Sequence, residues 1–273
     1  MLPSLLSNRK KTNSTKKNSP SESQVEDAAQ RNYYDALAEE KELAQTIGDA
    51  YIINQPLDVV GGDGYWASIK QGKPILAVFD CMGHGRLASI MTRLYIHTID
   101  RVASEMDVLD PAEIIQSVHE EIGATFKRNA DTQIGTAADL AIIILDHEHQ
   151  TMQYSGAKMN ILRMDEGEPQ LYKAHKRSVG TNYEFEREYE SCIIPYDENT
   201  KFYLYSDGVT DLFGGPKEKK LGVKRLAHMI NGCYSLDLPR ERTCLSEKLN
   251  RWAGNATRLD DLLLIGFMPG RVS

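Results

Sequence analysis

Four times along the chain a short β-type run meets an aspartate set beside glycine or a second acid. Val60-Gly61-Gly62-Asp63-Gly64 leads into Tyr65 to Lys70, and Pro74 to Asp80 runs into Cys81-Met82-Gly83-His84-Gly85. Lys201 to Ser206 runs into Asp207-Gly208-Val209-Thr210-Asp211, and Arg258-Leu259-Asp260-Asp261 precedes Leu262 to Phe267. Taken singly, an Asp-Gly pair is an ordinary turn. Jointly, the pattern sends charges to strand ends, where they can gather at one edge of a sheet sandwich. Acids clustered in this way repel one another and raise one another's pKa values unless a cation neutralises them. A hard cation such as Mg²⁺ or Mn²⁺ takes oxygen ligands, and glycine is expected to permit the tight turns that let carboxylates from separate strands converge.

Between these segments the elements are short strands with helices inserted in blocks. Strands are expected at 51–54, 65–70, 74–80, 138–146, 151–155, 160–164, 191–194, 201–206 and 262–267. Helices are expected at 86–104, at 111–127 with Asp110 as N-cap ahead of Pro111, at 219–230 and at 240–253. Strands that follow one another through short turns predict an α+β fold, an αββα sandwich of two packed, mostly antiparallel sheets flanked by helices. Residues 1–23, rich in Ser, Asn, Lys and Pro, read as a disordered basic tail. Residues 24–47 carry apolar side chains at three- and four-residue steps and read as an amphipathic helix, either regulatory or dimerising, or packed on its own domain. The remaining 48–273 make one catalytic-sized domain.

Net charge narrows the partners. The chain carries −7, but the first twenty residues hold Arg9, Lys10, Lys11, Lys16 and Lys17 and no acid, leaving the rest at about −12. A body of that sign is not a nucleic-acid binder. No apolar stretch approaches a membrane span, no secretory signal is visible, and the four cysteines (Cys81, Cys192, Cys233, Cys244) lie far apart without a C-x-x-C pair. They read as thiols in a reducing, cytoplasmic setting. No G-x-x-x-x-G-K-[ST] or H-E-x-x-H occurs, which disfavours a nucleotide kinase and a zinc hydrolase.

The ordered set V-G-G-D-G-Y-W, F-D-C-M-G-H-G, Y-S-D-G-V-T-D and L-D-D-L-L-L-I resembles the PPM-type metal-dependent serine/threonine protein phosphatases, in their bacterial SpoIIE-like branch. The likeness spans roughly residues 45–268. Gly135-Thr136-Ala137, Tyr154-Ser155-Gly156-Ala157 and Ser178-Val179-Gly180 are similar as well. The resemblance implies two divalent cations, Mn²⁺ or Mg²⁺. Asp63, Asp80, Asp207 and Asp260 match the acids that bind them, with Asp80 bridging and the Cys81 carbonyl as a backbone ligand; Asp211 matches an acid for a further, weaker ion, and Asp261 reads as a structural neighbour. It implies direct attack of a metal-bridging hydroxide on a phosphoserine or phosphothreonine of a regulator of the anti-sigma-antagonist type. His84, the tempting candidate for a general acid, is expected instead to order its loop or cap the following helix, and Cys81 to be an incidental thiol. No arginine clamp for phosphate is identifiable, and Lys158, Lys176 and Arg177 are candidates by charge alone. The alternative is a phosphatase-fold binding module within a partner-switching pathway.

Overall fold

The computed structural model describes residues 30, 34, 37, 39–83, 85–127, 135–165, 168–181 and 189–270. The expected tail, most of the expected helix before Glu39, and His84 lie outside the described residues. Strand β3 (Lys73–Cys81) shows why the chain needs four layers. Its Leu76 and Val78 face one side and Ile75, Ala77 and Phe79 the other, all fully buried, so both faces of the sheet must be covered.

One antiparallel sheet runs β2 (Asp63–Lys70), β3, β4 (Ala138–Asp146), β5 (Thr151–Ala157) and β8 (Cys192–Pro195). The other runs β1 (Ala50–Gln55), β12 (Leu262–Phe267), β9 (Lys201–Tyr205), β6 (Ile161–Asp165) and β7 (Glu168–Tyr172), again antiparallel throughout. Between the sheets lie Leu76, Val78, Ala141 and Ile143 from the first and Phe202, Leu204, Leu263 and Ile265 from the second. Residues of opposite parity meet the helices. Ile75, Phe79 and Ile142 pack on α2 (Gly85–Glu105) and α3 (Pro111–Lys127), through Tyr95, Ile99, Ile115 and Val118. Tyr51, Tyr203 and Leu264 pack on α5 (Gly222–Asn231) and α6 (Leu238–Ala253), through Leu226, Ile230, Leu245 and Leu249. Each such buried aliphatic side chain contributes about 1.5–3 kcal/mol relative to exposure. The αββα sandwich expected from the pattern is the observed fold.

The boundaries of α3, β4 and β12 fall where the pattern sets them, and Asp110 caps α3 by accepting from the backbone N–H of Ala112 at 2.8 Å and Glu113 at 3.1 Å. The helix expected from Lys219 begins instead at Gly222, because Lys219–Lys220 form a two-residue strand, β11, against β10 (Phe213–Gly214). Of the helix expected over 24–47, α1 (Glu40–Ile47) is described. Its Leu43 and Ile47 are fully buried in the core between the sheets, joined by Leu37, so this part packs on its own domain.

The reading of all four cysteines as thiols is corrected for two of them. Cys233 and Cys244 form a disulfide with Cα atoms 6.2 Å apart, while Cys81 and Cys192 are free. Cys233 stands just past α5 and Cys244 within α6, and it is the turn between these helices that brings them together. Their spacing therefore carries no local signature, and cysteine usage no longer argues for a reducing compartment. Cys233→Ser is expected to lower stability by about 2–3 kcal/mol, read as a shift in urea midpoint that reductant reproduces in the unsubstituted chain. A midpoint indifferent to both would refute the link.

Candidate functional site

The alternation that sends Leu76 and Val78 between the sheets sends Asp80 the same way, at the end of the strand. Cross-strand register places Asp63 of β2 opposite Asp80 and Asp80 opposite Asp139 of β4, so three carboxylates form a row on one sheet face. From the other sheet, Asp207 follows β9 as the first residue of α4 (Asp207–Thr210), and Asp260 and Asp261 precede β12. Asp80, Asp139, Asp207 and Asp260 line one cavity of about 190 Å³ at the mouth of the sandwich, together with Met82, Lys158 and Ser178. Asp63 lies beneath it, 1% exposed, accepting a hydrogen bond from the Ser206 hydroxyl at 2.8 Å.

These side chains are held by their neighbours. Asp261 accepts from the N–H of Leu57 at 2.7 Å and of Gly62 at 2.6 Å, which pins the β1–β2 loop that leads into Asp63. Arg258 donates to the carbonyls of Gln55 and Pro56, tying the same loop to the segment before β12. Ser178 donates to Asp139 at 2.6 Å. Thr136 donates to the Gly180 carbonyl at 2.6 Å, so the 135–137 and 178–180 segments meet beside the cavity.

Burial and repulsion set the proton affinities. Asp63 and Asp80 are pushed well above the usual carboxylate range, first by burial and then by surrounding aspartates, with the Ser206 hydrogen bond opposing this at Asp63. Asp207 is raised by burial and then by Asp211, against the opposing pull of Asp80, Lys220 and Lys158. Asp139 is raised by burial and drawn back by Ser178 and Lys158. Burial, followed by Asp80 and Asp63, pushes the Cys81 thiol well above its ordinary value.

Of the sequence-derived residues, Asp63, Asp80, Asp207 and Asp260 come together, and the Cys81 carbonyl faces Gly62. Asp211 does not join them. It lines a neighbouring cavity shared with Asp260 and pairs with Lys220 at 2.5 Å. Asp139 was not legible in advance, because it lies inside an apolar run with no glycine beside it; only the register reveals it. Among the described residues no group of three or more His, Cys, Asp and Glu is drawn close enough to hold an ion as it stands. A wider cavity of about 580 Å³, lined by Asp49, His147, Tyr196 and Asp197, gathers none of these strand-end acids.

Glycine serves the site chiefly by close approach. Gly83 and Gly85 do take left-handed φ of 90° and 75°. At Gly62 an added Cβ would stand 2.5 Å from the Cys81 carbonyl oxygen, and at Gly208 it would overlap the Asp261 carbonyl oxygen. Gly208→Ala is expected to push α4 away from the β12 entry, at a cost of about 1–3 kcal/mol. Thermal denaturation checks this, and an unchanged melting temperature would show that the contact yields freely.

The model of the Stage II sporulation protein E (SpoIIE) family matches residues 70–267. The SiaA-PP2C domain of Pseudomonas aeruginosa superposes with a TM-score of 0.81 at 26% identity, over 90% of this chain and 96% of that one. The PP2C phosphatase domain with a fragment of the regulatory domain of SpoIIE from Bacillus subtilis gives 0.63 at 15%, over 82% and 62%. RsbX in complex with magnesium gives 0.53 at 16%, over 80% and 92%. The last two likenesses are of fold. No curated protein sequence matches the chain. With a family model matched over most of its length, the chain belongs to the SpoIIE-like branch of the PPM-type protein phosphatases.

Proposed function

We propose that the chain is a metal-dependent phosphatase that removes phosphate from phosphoserine or phosphothreonine on a regulator protein of the anti-sigma-antagonist type, within a partner-switching pathway. One observation carries this reading: Asp80, Asp207 and Asp260, from separate strand ends of both sheets, line one cavity above the buried Asp63. The cost of crowding these acids at one edge is the physical argument for cations there, and an all-oxygen donor set suits Mn²⁺ or Mg²⁺. Asp63, Asp80, Asp207 and Asp260 would hold two ions, with Asp80 the bridging candidate that the family resemblance implies. The Cys81 carbonyl would add a backbone oxygen, and Asp211 would serve an additional, weaker ion after release from Lys220. When bound, such cations supply Lewis-acid activation of water and neutralise charge on phosphoryl oxygens. Ser206 and Asp261 keep Asp63 and its loop in place for that task.

The proposed organisation is a basic tail over 1–23, a regulatory helix over 24–47 and the phosphatase domain over 48–273. Leu43 and Ile47 sit inside the domain, which suits control through contact with the catalytic body. A homodimer through the 24–47 helix would have to use other side chains. The proposed setting is cytoplasmic. Among the described residues no helix is long and apolar enough to cross a membrane, and the Cys233–Cys244 link is the feature that points away from a reducing compartment.

The test is hydrolysis of p-nitrophenyl phosphate and of a serine-phosphorylated regulator with Mn²⁺, Mg²⁺ or EDTA. Turnover with either cation and none in EDTA is expected. Capture of the regulator without hydrolysis under any metal would identify a binding module instead.

A further inference from the structure

Lys158 is the cationic side chain among the described residues that line the acidic cavity with Asp80, Asp139, Asp207 and Asp260. Neither Lys176 nor Arg177 lines it. The residue follows β5 directly and takes a left-handed φ of 60°, a conformation that is uncommon for a long side chain and is kept only where its surroundings enforce it. They do so here. The Lys158 N–H donates to the His175 carbonyl at 2.6 Å, the His175 N–H donates to the Gly156 carbonyl at 2.7 Å, and Lys158 bridges to Leu140 of β4. A rigid backbone thus launches a flexible stem over the cavity mouth.

The head of that stem is not locked. Lys158 Nζ stands 3.7 Å from Asp139 Oδ1, beyond direct hydrogen-bond length, and that oxygen already accepts from Ser178 at 2.6 Å. The side chain is half exposed. An ammonium with three donors, loosely tethered beside one carboxylate, is free to turn toward a doubly charged anion entering the same cavity.

We propose that Lys158 binds a phosphoryl oxygen of the substrate and of product phosphate, and that Asp139, oriented by Ser178, is the positioning residue that parks the ammonium at the cavity mouth between turnovers. This rests on the phosphatase reading above and supplies a phosphate clamp, for which no arginine is identifiable from the sequence.

The experiment uses the full chain with Mg²⁺ or Mn²⁺ and compares Lys158→Met, Lys158→Arg and Asp139→Asn with the unsubstituted protein. Inorganic phosphate binding is measured by calorimetry and as product inhibition, alongside kcat and KM for p-nitrophenyl phosphate. Lys158→Met is expected to weaken phosphate binding and raise KM by about tenfold or more, with a smaller change in kcat. Lys158→Arg should recover most of the binding, and Asp139→Asn should leave phosphate binding equal or tighter, since it removes the competing anion. Unchanged phosphate affinity and KM in Lys158→Met would overturn the proposal while leaving the phosphatase reading intact, as would an equal loss of binding in all three variants. No metal-dependent turnover and no phosphate binding by the unsubstituted chain would sink both.

Discussion

Asp80→Asn should abolish metal-dependent hydrolysis and, in EDTA, make the protein more stable. Asp80 is the middle member of the Asp63–Asp80–Asp139 row, with a carboxylate directly opposite on either side and Asp207 and Asp260 acting on it from the other sheet. Asparagine keeps the shape and removes the charge that a pair of cations requires. Loss of a group that merely supports a metal ligand costs about 10–100-fold in activity or metal affinity, so loss at the proposed bridging position should cost more than about 100-fold in kcat. The stability change runs the other way. Like charges directly opposite each other on neighbouring strands destabilise by about 0.2–1 kcal/mol per pair, and Asp80 takes part in two. Relief of both should raise the melting temperature in EDTA by about 2–4 °C, while the rise that Mn²⁺ gives the unsubstituted chain should vanish. Turnover at the unsubstituted rate, or a lower melting temperature in EDTA, would contradict the placement of Asp80 at the centre of a charge-strained site.

Lys201→Met should destabilise the fold by about 3–5 kcal/mol, on the order of 10 °C in melting temperature. Lys201 and Glu241 are a buried ion pair, with 6% and 0% side-chain exposure. Every arm of the pair is used. Lys201 Nζ donates to Glu241 Oε2 at 2.5 Å and to the carbonyls of Tyr234 and Leu236 at 2.7 and 2.8 Å. Glu241 Oε1 accepts from the hydroxyls of Tyr203 at 2.7 Å and Tyr51 at 3.1 Å. Burial, and then Glu241, raise both tyrosines far above their usual pKa, so they remain protonated donors. Removing the lysine leaves a buried carboxylate without its cation and takes the ammonium away from two carbonyls. The double variant Lys201→Met with Glu241→Leu should recover most of the loss, because a buried pair gains little over an apolar one of similar volume. A Lys201→Met protein within about 1 kcal/mol of the unsubstituted chain would show that the pair is not the clasp between β9 and α6 that its geometry describes.

The two predictions draw on different layers of information. Asp80 stood out from residue order, because an acid that ends an apolar strand and is followed within three residues by glycine breaks the apolar run at a definite point. Lys201 and Glu241 did not, since nothing near either names a partner forty residues away. The same divide runs through the fold. The limits of α3, β4 and β12 follow from strong periodicity bounded by capping or turn residues. β7, β10 and β11 escaped notice, being short or polar and carrying Pro169 on an edge. The glycines of the site were legible as necessary, but at Gly62 and Gly208 the reason is the nearness of a carbonyl from another segment.

Local order in the chain determined the layers, since period-two and helical alternation is a property of neighbouring residues and needs no knowledge of what lies across the core. It also determined which aspartates stand at strand ends. Which of those acids meet was decided only by tertiary structure, through register and loop packing: these brought Asp139 and Lys158 into the cavity, set Asp211 aside with Lys220, and joined Cys233 to Cys244. Cross-strand register depends on the summed packing of whole faces, and no single stretch of sequence carries that sum.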